Sequence, residues 1–250
     1  MTDRSIADPL MAARRNGNRL EPPIGLTESD ALAILADIEA RFGEPVNVYT
    51  VGATAPGAAD KLGLSAPFVG PIFASAVTLA DGVGSVDLVR AHGVQAEVEV
   101  VFRFGAAVDG GTDSAILEAV DAIAVGVEFP ASRWTAPLSP PGPGFIADHA
   151  GNGALVVGPF VTDWRALDLA TVEARLLVDG SVAGKNPGAN VMGNPCNALV
   201  HCVRTLGRPV PAGTLVTSGG IIGPLDVPEG ATVTGEIDGL TALTCTVTAH

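Results

Sequence analysis

The clearest pattern in the chain is a period-two alternation. In residues 94–104, VQAEVEVVFRF, Val94, Ala96, Val98, Val100, Phe102 and Phe104 occupy even positions, and Gln95, Glu97, Glu99 and Arg103 fall on odd ones. This predicts a β-strand with one apolar face. From about residue 68 onward, β-branched runs separated by Gly, Asp and Pro turns predict further strands at 122–128, 154–160, 171–178, 214–218, 231–237 and 241–248. Asp179-Gly180 and Asp238-Gly239 have the composition of tight turns. Helical spacing appears elsewhere. In 27–42, Thr27 and Asp30 form a capping signal ahead of a stripe of Leu32, Leu35, Ile38 and Phe42. In 194–207, Asn194 caps, Pro195 fills the first turn and Gly207 stops the helix. A short helix is expected over 56–64 with Pro56 at its start, and a short strand over 46–51. The 136–145 stretch, APLSPPGPGF, reads as a connector or a flap. The prediction is an α+β chain: a small helical N-terminal arm, 1–67, and a β-rich roll or sandwich, 68–250.

The chain has 250 residues, 47% of them hydrophobic, which is enough for a substantial core and excludes a disordered protein. That apolar content on a mean hydropathy of +0.38 also suggests surface buried between copies, so a homo-oligomer is expected. No apolar run reaches membrane-spanning length, and the first residues mix acids and bases with no apolar segment. The expectation is therefore a cytoplasmic protein without membrane partners. A net charge of −13 argues against nucleic acid as a partner. Cys196, Cys202 and Cys245 show no C-x-x-C spacing, so reduced thiols are expected rather than disulfides or a zinc site.

The charge matters most inside the strands. Glu97 and Glu99 project from one face roughly 7 Å apart at their Cα atoms, close enough to converge on one ion. Glu128 is the only charge in the apolar run 122–129, AIAVGVEF. A carboxylate there needs a partner, because desolvation favours its neutral form. The chain has two lysines, Lys61 and Lys185, but twelve arginines, so an ion pair is one answer. A hard cation is another: three carboxylates without a His or Cys pattern suit Mg²⁺ or Mn²⁺, which keep open positions for water or substrate. A solvated strand face with an unrelated third acid remains the plain alternative.

The acid-x-acid pair followed some thirty residues later by a third acid resembles the 2-keto-4-pentenoate hydratase group of the fumarylacetoacetate hydrolase superfamily. Other segments fall in the same order: YTVGATAP (49–56), SRW (132–134), ADHAGNGALVVG (147–158), GKNPGANVMGNPCNAL (184–199) and the closing segment 211–240. The resemblance implies the β-rich roll of that superfamily's C-terminal domain. It also implies Glu97, Glu99 and Glu128 as ligands of Mg²⁺ or Mn²⁺. The chain departs from the pattern at three places. Thr50 stands where the hydratases carry lysine, Asp148-His149 replaces an Asn-containing block, and Gly193-Asn194-Pro195 replaces Gly-His-Pro.

In such families the cation chelates a 2-oxo acid and stabilises an enolate, while acid-base residues select the reaction. The implied activity is a hydratase acting on a small 2-hydroxydienoic or 2-oxo acid. The alternatives are decarboxylation of a 2-oxo dioic acid, hydrolysis of an acylpyruvate C–C bond, and a catalytically weakened relative that binds a 2-oxo acid or serves in a hetero-oligomer. Asp148, His149, Lys61 and Lys185 are candidate proton carriers. Thr50, Gly52, Lys185, Ser218 and Gly219 are candidate substrate contacts. Each has a plainer reading: a surface loop histidine for His149, a solvated helix face for Lys61, an exposed loop for Lys185, and a turn for Ser218-Gly219.

Overall fold

The computed structural model describes residues 4–250. Six helices occur among them: α1 (Arg4–Asn16), α2 (Glu28–Arg41), α3 (Ala58–Leu62), α4 (Asp113–Glu118), α5 (Gly142–Ala147) and α6 (Pro195–Leu206). The strands are β1 (Val46–Gly52), β2 (Phe68–Phe73), β3 (Val77–Leu79), β4 (Val83–Leu88), β5 (Gln95–Phe104), β6 (Val120–Pro130), β7 (Asn152–Val157), β8 (Glu173–Val178), β9 (Ser181–Pro187), β10 (Leu215–Thr217), β11 (Ile222–Asp226), β12 (Thr232–Ile237) and β13 (Leu243–Ala249). A large mixed sheet runs β2-β1-β10-β5-β6-β7-β3, with β11 also paired to β5, and a smaller one runs β4-β13-β12-β8-β9. Two packed mixed sheets with a few short helices make the chain α+β.

The alternation in β5 builds the interior. Val98, Val100 and Phe102 register against Val127, Val125 and Ile123 of β6. These side chains share one buried cluster with Leu176, Val233, Ile237, Leu243, Cys245 and Val247 of the smaller sheet. Burying a side chain of this size contributes about 1.5–3 kcal/mol, so this interface is a major source of stability. The opposite face of the large sheet carries Val48, Ile72, Val101, Ala124, Leu155, Val157 and Leu215 in a second cluster. Further along the same face of β5 and β6 come the glutamates.

Several expectations change. β1 sits inside the large sheet, parallel to β10 and antiparallel to β2, so sheet hydrogen bonds cross the expected 67/68 boundary. In α2 the predicted capping box of Thr27 and Asp30 forms. Its buried stripe, however, is Ala31, Ile34, Leu35, Ile38 and Phe42, and Leu32 is 46% exposed because it faces outward. Pro56 precedes α3, whose cap is Gly57. Part of 136–145 becomes the start of α5. Helix α1 was not predicted: Pro9 lies inside it, and a mid-helix proline breaks the helical signal. Its residues Ala7, Leu10 and Met11 nevertheless pack with α2, α5, Phe73 and Trp134 in a third cluster. The three cysteines are free, with Cys202 and Cys245 buried and Cys196 half-buried. Among the described residues no helix is long and apolar enough to cross a membrane.

Candidate active site

The pairing of β5 with β6 decides where the acids meet. Glu97 registers directly against Glu128, and Glu99 against Gly126. Directly opposed residues point to the same side of a sheet, as do residues two apart on one strand. All three carboxylates therefore leave one face, and all three line one cavity of about 350 Å³. Gly126 is needed here, since a Cβ on it would come within 2.6 Å of the Val101 side chain beside Glu99.

The surrounding residues hold the acids in place. Glu99 is 1% exposed; its Oε2 accepts the Gly219 N–H at 3.0 Å, and its Oε1 is buried without a hydrogen-bond partner. Gly219 reaches that position with φ of +83°, a conformation glycine adopts without strain. Glu128 is buried and accepts from both sides, from Asn152 Nδ2 at 2.9 Å on Oε1 and from Thr50 Oγ1 at 3.2 Å on Oε2. The Thr217 hydroxyl in turn donates to Thr50 Oγ1 at 3.0 Å. Glu97 is only partly covered and faces the cavity beside Gly220, where a Cβ would lie 2.8 Å from Glu97 Oε2.

Among the described residues no lysine or arginine lines this cavity. Burial, and then the Glu128 carboxylate, push the Glu97 carboxyl up to about 8. Burial and the other two acids raise Glu99 well above the usual carboxylate range. Burial also raises Glu128, against the opposing hydrogen bonds of Asn152 and Thr50. Two buried acids and a partly covered third, one with an unsatisfied oxygen and none facing a lysine or arginine among the described residues, form a site that lacks positive charge. An oxygen-ligated divalent ion fits that deficit. Among the described residues no three His, Cys, Asp or Glu side chains are gathered closely enough to hold a metal ion as they stand. The glutamates share one cavity wall instead.

Beyond the acids the cavity is largely apolar, with Leu62, Phe68, Phe145, Pro130 and Pro224 in its wall. Thr50 and Gly52 line it. Ser218 and Gly219 lie behind the wall: the Ser218 hydroxyl donates to Gly219 O at 2.9 Å and accepts the Val100 N–H at 3.1 Å. Both are committed to the protein itself, so neither is free to hold a substrate carboxylate.

The expected proton carriers lie elsewhere. Lys61 is exposed on α3 and does not line the cavity. Lys185 lies on β9, paired in register with Arg175 of β8, and its ammonium forms an exposed ion pair with Glu173. Asp148 is buried behind the cavity wall, where its Oδ2 accepts the Arg133 N–H at 2.6 Å and its Oδ1 meets the Arg133 guanidinium at 3.3 Å. Burial raises its carboxyl, but Arg133 and His149 outweigh this and hold it below the usual carboxylate range. His149 is fully buried, edge-on to Phe42 and Phe73, with Nδ1 3.5 Å from Asp148 Oδ1, and burial pushes it down to about 4 against that neighbour. It is a packed neutral ring, walled off by aromatic side chains.

One lining residue escaped the sequence reading. His92 is buried, and its Nε2 lies 2.8 Å from Asn18 O. A carbonyl only accepts, so Nε2 carries the proton and Nδ1 is left as an acceptor. Burial lowers its proton affinity, so the ring is neutral. It ends a 3₁₀ turn, Arg90–His92, and carries no local motif.

Comparison with known proteins places these features in context. Residues 51–248 match the family model for the fumarylacetoacetate (FAA) hydrolase C-terminal domain. A 2-keto-4-pentenoate hydratase of Burkholderia vietnamiensis is 28% identical over 220 residues, covering 85% of this chain and 82% of the relative. A 4-oxalocrotonate decarboxylase of Pseudomonas putida is 26% identical over 230 residues, covering 86% and 83%. The fold resembles the solved 4-oxalocrotonate decarboxylase from Pseudomonas putida G7, complexed with magnesium and adipate, with a TM-score of 0.85, 22% identity and coverage of 98% and 97%.

Proposed function

Because the chain belongs to the fumarylacetoacetate hydrolase family, with hydratase and decarboxylase relatives, we propose that it is a divalent-metal-dependent lyase that hydrates a small 2-hydroxydienoic acid. The observation that carries this reading is the convergence of Glu97, Glu99 and Glu128 on one cavity, with Glu99 Oε1 buried and unpartnered. These three carboxylates would hold Mg²⁺ or Mn²⁺. When bound, the ion supplies a Lewis acid for the carboxylate and 2-oxo oxygens of the substrate and offsets negative charge developing there.

The chain's own groups do the rest. Thr50 and Asn152 hold both oxygens of Glu128, and the Gly219 N–H holds one oxygen of Glu99. This fixes the acids before any ligand arrives, so little reorganisation is left for the reaction. Thr50 donates a hydrogen bond but cannot supply a charge or an ammonium proton. Among the described residues His92 is the one imidazole that lines the cavity. Leu62, Phe68 and Phe145 exclude bulk water around the substrate's tail.

The wall also discriminates between the alternatives. A second carboxylate would enter beside three acids with no Lys or Arg facing it, a costly burial. This favours a monoacid over a 2-oxo dioic acid, and so hydration over decarboxylation. Acylpyruvate hydrolysis calls for a His-acid pair at the substrate, and the Asp148–His149 pair lies outside the cavity lining. The test mixes protein, Mg²⁺ and 2-hydroxypenta-2,4-dienoate and follows the dienol absorbance. Metal-dependent loss is expected, and a 2-oxo dioic acid should release no CO₂. CO₂ release would favour the decarboxylase. Oxalate binding without turnover of either acid would leave only a 2-oxo acid-binding relative.

A further inference from the structure

The N-terminal helix reaches the acid cluster through one asparagine. Asn152 opens β7 and pairs in register with Pro130, two residues past Glu128. It is 1% exposed, and every oxygen it has is held by a guanidinium. Arg14, in the last turn of α1, donates from Nη1 to Asn152 O at 2.8 Å and from Nη2 to Asn152 Oδ1 at 3.3 Å and to Gly153 O at 3.4 Å. Arg133 donates from Nη2 to the same Asn152 O at 2.8 Å, while its Nη1 is tied to Asp148.

A guanidinium has donors only, so whatever it faces on the amide must be the oxygen. The amide NH₂ is then obliged to face the other way, toward Glu128 Oε1 at 2.9 Å. A donor at that position suits Glu128 as an acceptor, the form a metal ligand takes. We propose that Asn152 is the positioning residue that sets Glu128 for cation binding, and that Arg14 fixes the amide, making helix α1 a working part of the metal centre. The proposal rests on the divalent-cation reading of the three glutamates.

The packing explains how a residue 138 positions away in sequence takes this role. Ala7, Leu10 and Met11 form the buried stripe of α1 against α2 and α5. Arg14 continues that stripe by one turn, which carries its guanidinium past the end of the apolar contact to the start of β7. Arg15 points differently: it stacks on Phe42 and donates to Phe42 O.

The test is Mn²⁺ affinity of the full chain, by calorimetry without substrate, together with the Mn²⁺ electron paramagnetic resonance spectrum. Asn152→Ala should weaken Mn²⁺ binding by about 10- to 100-fold, and Arg14→Ala by about 10-fold, as expected when the partner of a ligand is removed. Millimolar guanidinium should restore part of the loss in Arg14→Ala and none in Asn152→Ala. Arg15→Ala, on the same helix, should bind within about twofold of the unaltered protein. Circular dichroism confirms folding, and Asn152→Ser and Arg14→Gln replace any variant that fails to fold. The proposal is overturned if folded Asn152 variants keep full affinity while Glu128→Gln loses it, or if Arg15→Ala loses as much as Arg14→Ala. Absence of Mn²⁺ binding by the unaltered protein would overturn the metal reading together with it.

Discussion

Glu99→Gln should abolish divalent-metal binding and turnover, yet raise the melting temperature of the metal-free protein. The two effects have one cause. Glu99 is 1% exposed, and burial and the other two acids work against its charge. In the glutamine variant the amide oxygen must take the Gly219 N–H, because that group only donates. The amide NH₂ then occupies the place of Oε1, the atom that has no partner, and presents hydrogens where a cation would need an oxygen. Loss of Mn²⁺ affinity should exceed the roughly 100-fold upper range seen when outer-shell partners are removed. Meanwhile a buried carboxyl that must either ionise without a counter-ion or keep a proton the unfolded chain has released is replaced by a neutral group of the same size, which removes that cost at neutral pH. Calorimetry for Mn²⁺ and thermal melts in chelator measure the pair. A variant that lost binding and melted lower would make Glu99 a structural residue.

The stability of the metal-free protein should fall as pH rises from 6.5 to 8. Glu97 is held up to about 8 by burial and by Glu128, against an ordinary value of 4.5. Between those values the folded state keeps a proton that the unfolded chain has released, so stability drains away with rising pH. Each proton so held contributes about 1.4 kcal/mol per pH unit, or about 2 kcal/mol over this window, and Glu99 adds to what Glu97 contributes. His149 works in the opposite sense: its folded value near 4 lies below the ordinary 6.5, so it costs stability only as pH falls below about 6.5. The chosen window excludes it. Added Mn²⁺ should reverse the trend, since ligation needs the deprotonated acids, and the stabilisation by Mn²⁺ should be larger at pH 8 than at pH 6.5. Urea denaturation in chelator and in Mn²⁺ reads both slopes. Glu97→Gln should reduce the metal-free slope without abolishing it, because Glu99 is raised in the same way, and an unchanged slope in that variant would assign the pH dependence to other groups.

Local pattern made part of this site legible. The alternation in β5 placed Glu97 and Glu99 on one face, and the apolar run around Glu128 marked it as a charge in need of a partner. What the sequence could not supply was the register that sets Glu97 opposite Glu128, because strand pairing is a non-local property. The same limit hid Arg14, whose role depends on where α1 docks, and Asn152, whose donor faces Glu128 only in the folded sheet. Local signals also misled. Lys185 lies in a glycine-rich run that reads as a loop but pairs with β8 as a strand. His149 sits among Gly and Ala, which suggests exposure, yet Phe42 and Phe73 close over it. β2, FVGPIF, contains Gly70 and Pro71, which weaken a strand signal, although it is buried beside β1.

The central claim is that Glu97, Glu99 and Glu128 together bind a divalent cation that holds a 2-oxo acid. A crystal grown with Mn²⁺ and oxalate, with anomalous differences recorded at the manganese edge, tests it most directly. The account predicts one strong peak ligated by oxygens of all three glutamates, with oxalate on the open side toward Phe68 and Phe145. A cavity with no anomalous peak, or manganese bound away from these carboxylates, would contradict it.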